Sequence, residues 1–259
     1  MIRVLDFSNK CWLPELALRC GGLLCVALCI LGSGLSANAK AIFTTFDPSG
    51  SADTYPDSIN DTGSIAGYYY DTSGKYHGFV RAADGTITPF DPSGSRETEA
   101  QSINGTGLIA GYYYDVNGAV HGFVRAADGT ITAFDPSGSI ATYADSINGK
   151  GSIAGYYYDN NFAIHGFVRA AGGTITTFDP SGSIATYAQS IDGKGWITGY
   201  YEDSGAAIHG FVRAADGMIK AFDPRQSIAT SAKSINAARS IAGYYKDSTG
   251  AYHGFLRSP

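Results

Sequence analysis

The sequence predicts an all-β fold, a five-bladed β-propeller built from 44-residue, four-stranded blades. The first observation is a repeat: Phe-Asp-Pro begins at positions 46, 90, 134, 178 and 222, and His-Gly-Phe begins at positions 77, 121, 165, 209 and 253. The second observation is that each repeat holds four short β-rich segments separated by turn residues, with no helical periodicity. A period near 40–45 residues with four strands is typical of a propeller blade.

Residues 1–39 differ from the rest of the chain and are predicted to be a secretory signal peptide. Residues 1–20 contain basic residues and are followed by the apolar run 21–35. Ala37-Asn38-Ala39 comes next and matches a signal-peptidase cleavage site. The apolar run is shorter than the roughly 20 residues of a membrane-spanning helix. We therefore expect no membrane span, cleavage after Ala39, and a protein that is periplasmic or secreted. Residues 40–259 then form a single propeller domain.

Cysteine usage and charge exclude several classes of site. All four cysteines lie within residues 1–39, so the mature chain has no disulfide, no cysteine-bound zinc and no thiol nucleophile. The formal net charge is −5 and no basic run is present, which argues against nucleic acid as a partner. We expect no cofactor.

The third repeat illustrates the four strands predicted in each blade. They are separated by Asn-Gly, Asp-Asn-Asn and Ala-Gly-Gly, which are turn sequences. The predicted strands are 142–148, 152–159, 163–170 and 174–179.

The two ends of the mature chain predict how the ring closes. Residues 41–47 resemble a fourth strand with no blade before it, and the chain stops shortly after the third strand at His253-Gly254-Phe255. The N-terminal strand is therefore predicted to complete the last blade, which would hide open strand edges and give a monomer. A β-solenoid is the alternative architecture, but its coils are shorter and do not need complementary ends.

The repeat also resembles the extracellular HAF repeat family, whose units carry an Ile-Asn pair, a Gly-Tyr strand and a His-Ala-Phe signature. Here the signature is His-Gly-Phe at 77–79, preceded by Ser-Ile-Asn at 58–60 and Ala-Gly-Tyr at 66–68. Departures are Gly for Ala in the signature, Asp192 for Asn and Thr198 for Ala. The resemblance covers all five units and implies an exported repeat protein, without implying an activity.

The predicted ligand-binding residues surround the turn between the second and third strands of each blade. An aromatic ring can stack on a sugar while an acid and an imidazole bind its hydroxyl groups. These residues are Tyr70, Asp71, His77, Tyr114, Asp115, His121, Tyr158, Asp159, His165, Asp203, His209, Asp247 and His253. In the structural alternative, the Asp forms the turn, the Tyr covers blade edges, and the His hydrogen-bonds within its blade, for example to the Asp six residues earlier.

A metal site shared by the histidines is not expected. The third strand lies about 10 Å farther from the axis than the innermost strand, whereas zinc needs ligands at about 2 Å. The arginine that ends each third strand, Arg81 in the first repeat, is predicted to form an ion pair with an acid such as Asp47.

Acidic residues on the predicted innermost strands suggest an enzyme as one alternative. Asp57, Glu99 and Asp145 come from three successive blades, and some propeller glycosidases place carboxylates near the axis in this way. One carboxyl would act as the acid and another as nucleophile or base. However, near-identical blades make near-identical sites, so we do not expect an enzyme.

The leading hypothesis is an exported carbohydrate-binding module with up to five related sites, whose weak affinities add through multivalency. The first alternative is a structural or protein-interaction scaffold at the cell surface, with a protein partner and no small ligand. A glycoside hydrolase is the third hypothesis.

Overall fold

Every regular element in residues 41–259 is a β-strand, as the sequence predicts. The structure is a computed structural model that describes residues 41–259, so the predicted signal peptide lies outside the described residues. Residues 41–44 form no strand, and residues 45–259 form a compact unit of their own. Within the described part of the chain, no helix is long and apolar enough to cross a membrane.

Nineteen strands follow the 44-residue repeat. Unit 1 contains β1 (Ser51–Ile59), β2 (Ile65–Asp71), β3 (Tyr76–Arg81) and β4 (Ile87–Phe90). Unit 2 contains β5 (Ser95–Ile103), β6 (Ile109–Asp115), β7 (Val120–Arg125) and β8 (Ile131–Phe134). Unit 3 contains β9 (Ser139–Ile147), β10 (Ile153–Asp159), β11 (Ile164–Arg169) and β12 (Ile175–Phe178). Unit 4 contains β13 (Ser183–Ile191), β14 (Ile197–Asp203), β15 (Ile208–Arg213) and β16 (Ile219–Phe222). Unit 5 contains β17 (Ser227–Ile235), β18 (Ile241–Asp247) and β19 (Tyr252–Arg257).

Within each unit, consecutive strands pair antiparallel. From unit 2 onward, one parallel residue pair joins the third strand of a unit to the first strand of the next, as between Val120 and Ala141. The four strands predicted in the third repeat are confirmed, but β9 begins three residues early, at Ser139. The reason is that the Ser139 amide donates to the carbonyl of Pro136 at 3.1 Å, which closes the Pro-Ser-Gly turn sooner than expected.

The hydrophobic core lies at the junctions between units. Side chains of a strand alternate between two faces, so each unit packs one face on its predecessor and the other on its successor. At the junction of units 2 and 3, Ala110 packs with Ile147, Ile153 and Phe167. The ring of Phe134 meets Phe167 edge-on at 6.0 Å. The sheets therefore stabilise one another through equivalent contacts at each junction.

Two ladders of hydrogen bonds cross the junctions. In one ladder, a serine hydroxyl accepts from a backbone amide 45 residues later: Ser58 accepts from Ile103 at 3.2 Å, and Ser102 accepts from Ile147 at 3.3 Å. In the other, a side-chain amide donates to a carbonyl 44 residues later. Its members are Asn60 to Asn104, Asn104 to Asn148, and Asn148 to Asp192, all at 2.9 Å.

The structure does not show the predicted closure by the N-terminal strand. Residues 41–48 form no strand, and among the described strands β19 pairs only with β18. Ile59 at the start of the array is 66% exposed and Leu256 at its end is 74% exposed. Because these side chains would be covered in a closed ring, the first and last units present open faces.

Candidate functional site

Four of the five predicted histidines lie between two carboxylates within the described residues. In unit 1, Nδ1 of His77 donates to Oδ2 of Asp91 at 2.6 Å, and Nε2 lies 3.5 Å from Oδ2 of Asp71. The other oxygen of Asp91 accepts from the hydroxyl of Thr98 in the next unit at 2.6 Å. The nearer partner is thus an aspartate fourteen residues later, which the sequence analysis missed. We call this arrangement the histidine cluster.

The histidine cluster recurs in the other units. In units 2 to 4, the distance from Nδ1 to the later aspartate is 2.7 Å, and Nε2 lies 3.9, 3.6 and 3.4 Å from the earlier aspartate. These units contain Asp115 with His121, Asp159 with His165, and Asp203 with His209. In unit 5, Nε2 of His253 lies 2.9 Å from Asp247. A hydrogen bond to Asp223 raises the pKa of His209, which favours its charged form.

The aspartates of the turns also have their hydrogen-bonding capacity occupied. Oδ1 of Asp71 accepts from the amides of Ser73 and Lys75 at 2.8 and 3.0 Å, which forms the turn. Its Oδ2 faces His77. Hydrogen bonds from Ser73 lower the pKa of Asp71, so it is ionised at neutral pH. The structural interpretation of the Asp and His thus accounts for the hydrogen bonds of Asp71 and His77.

The structure separates the predicted tyrosine from the Asp and the His. Across the hairpin, Tyr69 lies opposite His77, and Tyr70 lies opposite Tyr76. The Tyr69 ring therefore stacks on His77 at 5.2 Å, whereas the Tyr70 hydroxyl donates to that of Tyr76 at 2.6 Å. Tyr114 and Tyr158 have the same position opposite Val120 and Ile164. The prediction that one surface joins all three residue types is wrong, because adjacent strand residues face opposite sides.

The predicted ion pair between the arginines and the Asp47-type acids is also wrong. The guanidinium of Arg81 lies 5.0 Å above the ring of Phe46, and that of Arg125 lies 4.9 Å above Phe90. Arg81 also donates to the carbonyl of Ala82 at 3.3 Å. The acid that follows the phenylalanine binds a histidine or a threonine instead, as Asp91 does.

The tyrosines on the opposite face form a continuous row across three units. Ring centroids are 4.9 Å apart between Tyr112 and Tyr143, 4.9 Å between Tyr143 and Tyr156, 5.0 Å between Tyr156 and Tyr187, and 4.8 Å between Tyr187 and Tyr200. We call these five residues the tyrosine row. Tyr114 and Tyr158 flank it, with centroids 6.3 Å from Tyr112 and 6.0 Å from Tyr143.

Carboxylates lie beside the tyrosine row. The hydroxyl of Tyr112 donates to Oε2 of Glu99 at 2.5 Å. Burial raises the pKa of Glu99, and burial together with the charge of Glu99 raises the pKa of Asp57 to about 6. Both carboxyls, from two successive first strands, therefore bind protons more tightly than ordinary carboxyls.

A hydrogen-bonded chain links three first strands at a third carboxyl. Nε2 of Gln189 donates to Oδ2 of Asp145 at 3.1 Å, and Nζ of Lys233 donates to Oε1 of Gln189 at 3.0 Å. The same ammonium lies 4.8 Å from the ring centroid of Tyr200, at the end of the tyrosine row. Burial raises the pKa of Asp145 to about 8, and the charge of Lys233 acts in the opposite direction.

Asp145→Asn should stabilise the protein at pH 8 more than at pH 5, by about 1–3 kcal/mol. The unfolded chain ionises this carboxyl near its ordinary pKa of 3.8, whereas the folded chain holds the proton up to about pH 8. Folding is therefore progressively disfavoured as pH rises between these values. An asparagine can still accept from Gln189. Thermal unfolding at both pH values measures the difference.

The control for this variant is Asp128→Asn. The pKa of Asp128 is lowered by a hydrogen bond from the Thr130 amide, so removing its charge should not stabilise the protein at pH 8. Equal gains from Asp145→Asn at pH 5 and pH 8 would contradict the assignment.

The described residues contain no group of three or more His, Asp or Glu side chains arranged to hold a metal ion. The groups that the site offers to a ligand are aromatic rings, carboxyls, an amide and one ammonium group. Sequence analysis had singled out Asp57, Glu99 and Asp145, but it missed the hydrogen-bonded chain from Asp145 through Gln189 to Lys233. The sequence did hold a signal: Gln189 and Lys233 stand at the repeat position of Asp57 and Asp145, and the residue type at this position differs between units.

The sequence matches no protein-family model and no curated protein. Among solved structures, it is similar to a protein assigned as TolB from Agrobacterium tumefaciens, with 11% identity and a TM-score of 0.58, covering 79% of this chain and 76% of that one. It is similar to the BP39L lectin from Burkholderia pseudomallei, with 12% identity and a TM-score of 0.52, covering 82% and 70%. A third likeness is to the lectin of Aleuria aurantia, a six-bladed β-propeller, with 13% identity, a TM-score of 0.46, and coverage of 78% and 72%. The first two likenesses concern the fold alone, which is an all-β, propeller-like array of repeated four-stranded units.

Proposed function

We propose that this protein is an exported carbohydrate-binding module whose site is the tyrosine row with its neighbouring carboxyls. The observation that carries the proposal is the unbroken contact of five tyrosine rings, at 4.8–5.0 Å, beside Glu99 and Asp145. Aromatic rings offer apolar faces to sugar rings. Carboxylates and amides offer strong hydrogen bonds to hydroxyl groups.

This proposal moves the site from the one that the sequence analysis favoured. Of the predicted residues, Tyr114 and Tyr158 belong beside the tyrosine row, and Tyr70 has the equivalent position in unit 1. The Asp and His residues belong to the histidine cluster, where in units 1 to 4 both ring nitrogens of the histidine face a carboxylate. The BP39L protein, which is similar in fold, is a lectin, and this is compatible with the proposal without carrying it.

The test is a glycan-array screen followed by calorimetric titration of each hit. We expect more than one ligand per chain, because the tyrosine row extends over three units. Tyr158→Ala should weaken binding by about tenfold, which corresponds to about 1.4 kcal/mol. Met218→Ala is the matched control, since this side chain is 60% exposed in the turn between β15 and β16, which holds no residue of the tyrosine row or of the histidine cluster. Its affinity should be unchanged.

Two other results of this screen are possible, and each favours a different function. Absence of binding across the array would overturn the proposal and favour the scaffold, in which the tyrosines serve only to pack one unit on the next. The mutual contact of their rings is the observation that favours this second candidate. Slow breakdown of a hit, abolished by Asp57→Asn, would instead support a glycoside hydrolase, since a raised pKa suits a general acid.

A further inference from the structure

The two open faces are the complementary halves of a junction that the chain makes four times internally. At each internal junction, a serine hydroxyl of one unit accepts from an isoleucine amide of the next, at 3.2 or 3.3 Å. Apolar side chains accompany it: Ala66, Val80 and Phe90 of unit 1 pack with Ile103 and Phe123 of unit 2.

Unit 5 exposes the face that each of units 1 to 4 packs on the unit after it. Ser234 and Asn236 have the repeat positions of the serine and the asparagine of the two ladders, and both are exposed. Ala242 is exposed, whereas its equivalent Ala154 is fully buried. Leu256 is 74% exposed, whereas its equivalent Val212 is 5% exposed.

Unit 1 exposes the opposite face, which each of units 2 to 5 packs on the unit before it. Ile59 is 66% exposed, whereas its equivalent Ile103 is 6% exposed. Pro56 is exposed at the position where Ala100 is buried in unit 2. Hydrophobic patches of this kind on a soluble protein mark interaction surfaces.

Phe46 and Asp47 already have the positions that such a junction requires. Phe46 meets Phe79 edge-on at 6.1 Å, as Phe90 meets Phe123 at 5.9 Å. Oδ1 of Asp47 accepts from the Thr54 hydroxyl at 2.8 Å. Within residues 41–259, Oδ2 of Asp47 has no histidine partner, although Asp91 binds His77 with the same atom.

The matching histidine is at the other end of the chain. Nδ1 of His253 lacks a carboxylate partner within residues 41–259, and its side chain is 44% exposed, against 17–29% for the other four histidines. In units 1 to 4 this partner is the aspartate fourteen residues after the histidine. By the repeat, Asp47 is its equivalent.

We propose that two copies of this chain associate head to tail, with unit 5 of one copy packed on unit 1 of the next. Residues 43–46 of the second copy then supply the fourth strand of unit 5, paired with β19, and the Asp47 of that copy binds His253 of the first copy. This adds a strand to an open sheet edge and repeats the two hydrogen-bond ladders and the apolar packing of an internal junction. The contact is heterologous, so further copies can extend or close the assembly.

The structure favours a second copy over closure of one chain on itself. Both faces belong to the same chain, yet Ile59 and Leu256 remain exposed. Closure would require the four internal junctions, which share the same packed contacts, to change together. A second copy binds without any change in the junctions.

The test is the mass of the purified protein by light scattering over a wide range of concentration. We expect dimers or larger assemblies that dissociate on dilution. Leu256→Lys, which would place a charge in the new junction, should raise the dissociation constant at least about tenfold. Val116→Lys is the matched control, because Val116 is equally exposed but lies in a turn of unit 2. It should leave the assembly unchanged.

A mixing experiment tests the head-to-tail geometry. Leu256→Lys blocks the face of unit 5, and Ile59→Lys blocks the face of unit 1. Each variant alone should be monomeric, and the mixture should form a dimer through the two intact faces. A wild-type protein that is monomeric at every concentration overturns the proposal, whether its ring is open or closed.

Discussion

Gly155→Ala should destabilise the protein by about 3 kcal/mol or more. A Cβ atom at this position would overlap the carbonyl oxygen of Tyr143 and lie 2.9 Å from Cζ of Phe167. Phe167 is fully buried and the carbonyl belongs to a paired strand, so neither can move cheaply. Chemical denaturation measures the change in the free energy of unfolding.

Gly149→Ala is the matched control, because a Cβ at Gly149 would have no heavy atom within 4 Å. Its free energy of unfolding should stay near that of the wild type. The same close approach to a first-strand carbonyl occurs at the equivalent glycine of every unit, as at Gly111 and Gly199. If both alanine variants unfolded at the same denaturant concentration, the close packing of the first two strands would be contradicted.

Asp192→Asn should stabilise the protein by about 1–3 kcal/mol. Asp192 replaces the asparagine of the side-chain ladder and is 4% exposed. Its Oδ1 accepts from the amides of Lys194 and Trp196 at 2.8 Å, but its buried Oδ2 has no hydrogen-bond partner in the described structure. An asparagine keeps the first oxygen and offers a donor to the carbonyl of Asn236, as Asn148 does to that of Asp192.

The reverse substitution, Asn148→Asp, should destabilise the protein by a similar amount, because it creates the same defect one junction earlier. Thermal unfolding of both variants is the measurement. Loss of stability in Asp192→Asn would show that the ladder does not determine the stability of this junction.

The strands were predictable because the pattern that encodes them is local. Alternating apolar residues and turn sequences mark each strand, and the 44-residue period places the strands in equivalent units. The side of the sheet on which Tyr70 lies could also have been predicted from the length of the turn. The Asp71 amide donates to the carbonyl of Lys75, and a turn of this length sets Tyr69 opposite His77.

Features that depend on the angle between units could not be predicted. The chain Asp145–Gln189–Lys233 links three first strands, so it exists only at the spacing that core packing imposes. Ring closure depends on the same angle, summed over four junctions, and no residue pattern within one repeat encodes it. Hence the exposure of Ile59 and Leu256 could be learned only from the structure.

The most direct test of the proposed site is a crystal structure of the protein soaked with the strongest hit of the glycan screen. We predict electron density for a sugar ring against Tyr143, Tyr156 or Tyr187, with a hydroxyl group within hydrogen-bonding distance of Asp145 or Glu99. Density for the sugar at the histidine cluster, against His165 and Asp159, would contradict this placement and restore the site first predicted from the sequence.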